Sequence, residues 1–242
     1  FWIRYYDQEG AQCPHRQYMT WATKEGDLWI WADRCQELKP ANSRGGIGKR
    51  GDITSFSDGT ILIPCYGSSV GVPAEAPYDP TSSFVMYMKF DPAKGEWIEI
   101  YSYDIPNLDR DEDASINEVS LVAPDPDSDT VYAFVREAGT VLVSYDRGRI
   151  WNKLANEAGI CQQPGFTVLD KNRVFVTWSM NPIPRSTSGK VFYIQEGWAR
   201  SETQLIYASP TTAYHDAADP SCALLPNGKV LIVSYDTPYQ AI

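Results

Sequence analysis

Ser144, Asp146, Gly148 and Trp151 stand at fixed offsets inside SYDRGRIW, residues 144–151. A hydroxyl and a carboxylate so close together can act on a substrate or bind the N–H groups of their own turn. The spacing S-x-D-x-G-x-x-W is neither helical nor strand-alternating, so it needs a turn, where glycine supplies a backbone conformation closed to other residues. The expected role is a structural clasp, with Trp151 packing between neighbouring sheets. Asp109, Asp111 and Asp113 have a calcium-like D-x-D-x-D spacing. No glycine follows the third aspartate and no glutamate stands at the twelfth place, so this is no EF-hand loop. Asp125, Asp127 and Asp129 repeat the spacing within a turn, with the same expectation of a solvated loop. The stretch Gly45-Gly46-Ile47-Gly48-Lys49 lacks the spacing and the following helix of a phosphate loop. His15 and His215 have no partner histidine at ligand spacing, and Cys13, Cys35, Cys65, Cys161 and Cys222 form no C-x-x-C pair. No metal and no cofactor are therefore expected, and Cys65 and Cys222, set in apolar runs, read as buried thiols.

Charge narrows the partners. The 242 residues carry 31 acidic against 21 basic side chains, a net charge of −10, without any basic run. Phosphate binding needs a basic surface, so neither nucleic acid nor an anionic membrane is the expected partner. No apolar stretch approaches a membrane span, and FWIRYYDQEG lacks the features of a signal peptide. The chain reads as a soluble body. Cysteine usage does not fix the compartment, with an extracellular or secreted location slightly favoured, and the oligomeric state stays open.

The elements that must position any site read as strands. Aromatic residues make up 13% of the chain, Gly and Pro number 17 each, and long helical periodicity is missing, which is the profile of an all-β protein with many turns. Strand-like runs cover 1–7, 17–23, 52–57, 60–66, 83–90, 96–102, 118–124, 130–136, 139–145, 165–169, 173–179, 190–195, 203–208, 221–225 and 229–236. Turn signals at 57–59, 125–127, 170–172 and 226–228 separate them. SFSDGTILIPCYG, VLDKNRVFVTWS and ALLPNGKVLIVSYD share one plan: strand, turn around Asp or Asn, strand ending in an aromatic. A second kind of turn is closed by tryptophan in KEGDLW, DPAKGEW, SYDRGRIW and QEGW, placing Trp29, Trp97, Trp151 and Trp198 at intervals of 68, 54 and 47 residues. Such self-similarity with four strands per unit marks a β-propeller.

With its full Asp-box at SYDRGRIW and this blade pattern, the chain resembles the sialidase (neuraminidase) superfamily of six-bladed propellers. FWIRYYD and GKRGDITSFSDGTILIPCYG look like strands of the family's second and third blades. The family places a Glu at the start of a central blade, an Arg on the next strand about twenty residues later, and then an Asp-box. Here Glu118 in INEVSLV, Arg136 after TVYAFV, and the box fit that order. The family's next Arg and its later Tyr are matched by Arg185 and Tyr214, which are 29 residues apart. Without gaps, on the form common in bacterial members, the nucleophile's place falls on Asp219; the vertebrate-like form, with its longer loop, puts Tyr214 there. The family's opening blade, with its first clamp Arg and its acid/base Asp, has no counterpart. The expectation is one partial propeller domain over 1–242, of about four to five blades.

The resemblance implies a chemistry. Guanidinium groups of Arg136 and Arg185 would grip the carboxylate of a terminal sialic acid bidentately, with charge and direction. Because that carboxylate would repel an anionic nucleophile, the family attacks with a tyrosine hydroxyl, here Tyr214, activated by Glu118 as base. The partner would be a glycan or glycoconjugate and the enzyme an exo-sialidase-like glycoside hydrolase. Two alternatives stay open: a sialidase-like hydrolase of another polysaccharide, which Asp219 would fit, and a non-catalytic propeller that binds glycan or protein.

Overall fold

A computed structural model describes residues 2–4, 17–38, 52–67, 82–106, 119–136, 139–156, 164–180, 186–208 and 215–238. The described residues form twenty strands. Near the N-terminus are β1 (Trp2–Arg4), β2 (Gln17–Met19), β3 (Ala22–Glu25), β4 (Leu28–Trp31) and β5 (Gln36–Leu38). Then come β6 (Thr54–Ser55), β7 (Thr60–Gly67), β8 (Ser82–Asp91) and β9 (Glu96–Asp104), followed by β10 (Val119–Val122), β11 (Val131–Val135), β12 (Thr140–Ser144) and β13 (Asn152–Asn156). The last are β14 (Gly165–Asp170), β15 (Arg173–Met180), β16 (Ser186–Tyr193), β17 (Ala199–Arg200), β18 (Gln204–Ala208), β19 (His215–Leu224) and β20 (Val230–Pro238). The strands pair antiparallel in sequence order as β6-β7-β8-β9 and β10-β11-β12-β13, and β14-β15-β16 is edged by both β17 and β18. β19-β20, β3-β4 and β1-β2-β5 make smaller sheets. The architecture is all-β, with four-stranded antiparallel sheets set as propeller blades.

The β10–β13 sheet is covered on both faces, which explains why TVYAFVR is continuously apolar instead of alternating. Along β11, Val131, Ala133 and Val135 face one cluster, with Phe56, Leu62, Val85 and Tyr87 of the β6–β9 blade. Tyr132 and Phe134 face the opposite cluster, with Phe166, Val174, Val176, Trp178, Phe192 and Trp198 of the β14–β18 blade. Phe134 is wholly buried and meets the rings of Phe166 at 4.8 Å and Phe192 at 5.4 Å. Burying a side chain of that size contributes about 1.5–3 kcal/mol. A third cluster joins Met19 and Leu38 to Ile63, Cys65, Phe84, Met86 and Met88.

The turns between first and second strands share one device. Asp58, Asp125, Asp170 and Asn227 each accept, through Oδ1, the N–H two residues on, at 3.0, 3.1, 2.9 and 3.0 Å. This side-chain bond imitates a backbone turn and explains the recurring Asp/Asn. The tryptophan-closed turns differ more. Trp151 and Trp198 are 6% and 5% exposed and lie in the inter-blade clusters. Trp29, in the same local pattern, is 63% exposed on a hairpin with Leu28, Ile30 and Trp31. Trp29 therefore does not share the packing between blades that Trp151 has. Strands β4, β5, β13 and β17 lie outside the sequence-read runs. β13, NKLAN, is polar and largely exposed at a blade edge, so no apolar pattern announces it. β19 begins at His215, six residues before the run read as 221–225.

Candidate functional site

The first strands of successive blades stand side by side, stitched by side chains. The Ala123 N–H donates to Thr54 Oγ1 at 2.9 Å, Ser120 Oγ donates to the Pro164 carbonyl at 2.6 Å, and the Leu224 N–H donates to Thr167 Oγ1 at 2.9 Å. Gly165 permits the closest approach: a Cβ there would run into the Pro220 carbonyl and the Ser221 Cα. Between β6, β10 and β14 opens a cleft of about 400 Å³, walled by Ile53, Thr54, Leu121, Val122, Ala123 and Phe166 among others. Among the described residues lining it, Asp52 is the charged one.

Asp52 precedes β6, and its Oδ2 accepts the Phe166 N–H at 2.8 Å. That bond spans 114 residues and ties the entry of the β6–β9 blade to the first strand of the β14–β18 blade, across the intervening β10. Cys222 of β19 lies within its field: burial pushes the thiol up to about 12, and the Asp52 charge adds to the rise. The thiol is therefore protonated at neutral pH and is no nucleophile there. A carboxylate held at a cleft can accept hydrogen bonds from a bound ligand's hydroxyls or act in proton transfer.

Arg136 follows the last residue of β11, and that residue, Val135, is the cross-strand partner of Val119, the first residue of β10. It is half-buried and its side chain is engaged in a polar or electrostatic interaction. Strand alternation puts position 136 on the side of Tyr132 and Phe134, toward the β14–β18 blade. Glu118, Arg185 and Tyr214 lie outside the described residues, as do Asp109, Asp111 and Asp113. Each of those first three directly precedes a strand start, at Val119, Ser186 and His215. Asp219 belongs to β19, within the register shift between Ala218 and Ser221.

The 144–151 turn sits at the other end of its blade. Ser144 Oγ accepts the Gly148 N–H at 2.7 Å and donates to Asp146 Oδ1 at 2.7 Å. Asp146 Oδ1 also accepts the N–H groups of Arg149 and Ile150, at 3.1 and 2.9 Å. Burial alone would raise the Asp146 carboxyl, and these bonds outweigh it and lower it. Gly148 has φ +87°, and a Cβ there would meet Val85, Leu62 and Trp151 at 3.0–3.3 Å. Its neighbour Arg147, with φ +58°, pairs with Asp58 and Asp129 at 2.6 Å each, bonds the Tyr87 hydroxyl, and lies 4.4 Å from the Phe56 ring centroid. The acids of the neighbouring turn are likewise taken up, Asp125 by Lys171 at 2.8 Å and Asp127 by the same lysine at 3.7 Å. Among the described residues no cluster of three His, Cys, Asp or Glu side chains could hold a metal ion. No helix among them is long and apolar enough to cross a membrane.

Sequence reasoning passed over two residues. Asp52 is a lone carboxylate before a two-residue strand, and nothing in its neighbourhood announces a partner 114 residues away. Arg147 occupies an unspecified place of the motif.

No family model matches the sequence, and no curated protein matches it. Among solved structures, a protein of unknown function from Dyadobacter fermentans superposes with a TM-score of 0.61 at 16% identity, over 92% of this chain and 68% of that one. The α-L-arabinofuranosidase Arb93A from Fusarium graminearum, solved with an iminosugar inhibitor, gives a TM-score of 0.52 at 15% identity, over 81% of this chain. The present chain spans 59% of the length of that enzyme. An oligogalacturonate lyase in complex with manganese is more distant, with a TM-score of 0.41 at 13% identity, over 81% of this chain and 51% of that one. At such identities the likeness is one of fold, and with the four-stranded blades it makes this chain a β-propeller.

Proposed function

We propose that the chain, as one propeller domain over 1–242, belongs to a glycoside hydrolase of sialidase-like architecture that takes a terminal sugar into the cleft between β6, β10 and β14. The observation that carries this reading is the convergence of three first strands on a cleft of about 400 Å³ with the anchored Asp52 carboxylate at its wall. Clefts of this size with few convergent polar groups suit small ligands. The arabinofuranosidase likeness supports a glycoside as substrate.

In the sialidase form of this reading, Arg136 and Arg185 grip the sugar carboxylate. The Tyr214 oxygen gives its proton to Glu118 and bonds to the anomeric carbon, as the glycosidic C–O bond breaks and the departing oxygen takes a proton from water to leave as the alcohol. Water then displaces the tyrosine oxygen and releases the sugar. In the second form the substrate is another polysaccharide, and Asp219 in place of a tyrosine and the net charge of −10 favour it. The test is turnover of a fluorogenic sialoside and of an aryl α-L-arabinofuranoside by the folded protein. Hydrolysis of either supports a glycosidase; inertness toward both, and toward other aryl glycosides, refutes it. A Tyr214→Phe variant with full sialoside turnover would reject that nucleophile and leave the enzyme class standing.

A further inference from the structure

We infer that a recess between the β10–β13 and β14–β18 blades binds a single uncharged sugar ring, held by the Tyr132 hydroxyl and the Gln195 side-chain amide. The site is separate from the cleft of the proposed function and needs no catalysis there.

The recess has a volume of about 200 Å³. The turn after β10 forms one side with Pro124 and Asp125, and the next blade forms the other with Lys171 and, just after β16, Ile194 and Gln195. Pro124 also borders the cleft, so the two hollows back onto one residue. Tyr132 is the floor, 8% exposed, with its ring stacked at 4.8 Å on Trp198. No hydrogen bond joins its hydroxyl to any described residue. Unlike the indole N–H of Trp198, which is sealed from solvent, that hydroxyl opens toward the recess. A tyrosine hydroxyl set this deep ordinarily has a partner, and a bound ligand would supply one. Burial raises the Tyr132 hydroxyl above its ordinary 10.0, and nearby Tyr145 adds to the rise, so it is a protonated donor at neutral pH.

The rest of the lining selects the ligand. Lys171 is engaged by Asp125 at 2.8 Å and by Asp127 at 3.7 Å, so an incoming anion would have to compete with two carboxylates for it. Ser128 and Thr130 bond one another at 3.0 Å. The Gln195 backbone N–H is tied to Asn172 Oδ1 at 2.5 Å, which fixes where its side chain starts, and no described group bonds the side-chain amide. The recess therefore offers a hydroxyl and a carboxamide, each able to donate and to accept, which matches ligand hydroxyls and not a charge. Pro124 and Ile194 give an apolar wall for the C–H face of a ring. A volume below the range of drug-sized ligands suits one ring and not a chain.

The experiment titrates the folded full chain with methyl α-L-arabinofuranoside, methyl β-D-galactopyranoside and methyl β-D-glucuronide, followed by saturation-transfer NMR and calorimetry. At least one neutral glycoside should bind in the millimolar range, and the glucuronide more weakly. Tyr132→Phe keeps the ring on Trp198 and removes a hydroxyl without a protein partner. Its melting temperature should equal or exceed the parent's, while affinity falls by about three- to tenfold. Gln195→Ala, at an exposed position, should lower affinity by about threefold without shifting the melting temperature. Because the cleft can also take a sugar, these losses are what assign binding to the recess. A neutral glycoside whose affinity neither substitution alters sits elsewhere and overturns the inference. Tighter binding of the glucuronide, or no binding of any neutral glycoside, overturns it as well. A lowered melting temperature in Tyr132→Phe would show the hydroxyl bonded within the protein and remove the premise. The cleft reading is judged by turnover, which none of these outcomes touches.

Discussion

Two aspartates bracket β6, six residues apart, and the molecule uses them in opposite ways. Asp58, at the turn end, is absorbed by the protein: Thr60 binds it through N–H and hydroxyl, and Arg147 pairs with it at 2.6 Å. Asp52, at the entry end, accepts the backbone N–H of Phe166 from a distant blade through Oδ2 and lines the cleft along β6, β10 and β14. The turn end carries the most recognisable sequence motif, and its charges are spent on holding blades together. In the proposed function the chemistry belongs to the other end, where strands start and where Arg136 follows β11. This division explains why SYDRGRIW, with its hydroxyl and carboxylate two residues apart, is a clasp: both groups are consumed by N–H groups of their own turn.

The comparison breaks if the turn end proves catalytic or the cleft end purely structural. The largest effect is expected from Trp151→Ala, which removes a wholly packed ring from the inter-blade cluster and should cost about 3–5 kcal/mol in urea unfolding. Arg147→Met comes next, at about 2–4 kcal/mol, because it leaves Asp58, Asp129 and the Tyr87 hydroxyl without their shared cation. Ser144→Ala deprives the buried Gly148 N–H of its acceptor and should cost about 1–3 kcal/mol. All three should leave the kcat/KM of the surviving folded fraction unchanged; a selective loss of turnover at unaltered stability would contradict the division.

A subtler effect concerns acid. Bonds from Thr60 first and Arg147 second lower the Asp58 carboxyl from 3.8 to about 2. A carboxyl depressed in the folded state contributes stability above its ordinary value and loses it as pH falls through the folded value. Stability of the parent should therefore fall between pH 3.8 and about 2, and Asp58→Asn should flatten that segment, by about 1 kcal/mol or less because Asp58 is half-exposed. The smallest effect is expected at Trp29, where alanine should shift stability by no more than about 0.5 kcal/mol. Thermal melts of Trp29→Ala and Trp151→Ala side by side check whether one motif can play two roles.

The fold was legible wherever burial on both faces left a mark. TVYAFVR, RVFVTWS and TILIPCY are continuously apolar because neighbouring blades cover each side, and the Asp and Asn residues between strands announce their turns through a local bond two residues long. Edge strands such as β13 were not legible, since solvent imposes no pattern on them. The start of β19 was hidden for another reason: His215 to Pro220 are mostly small or polar and include a proline. Trp29 misled because a tryptophan-closed hairpin is a local pattern, while burial depends on what stands opposite. Of the candidate site, Arg136 was named only through the resemblance to the sialidase family, and the structure places it directly after β11. Asp52 could not, because its meaning comes from a backbone N–H contributed by a distant strand.

The most direct measurement is a crystal structure of the protein soaked with a neutral iminosugar or with the neutral glycoside it turns over. The sugar should lie in the cleft between β6, β10 and β14. A sugar seated against the 144–151 turn, with the cleft left unfilled, would contradict the account.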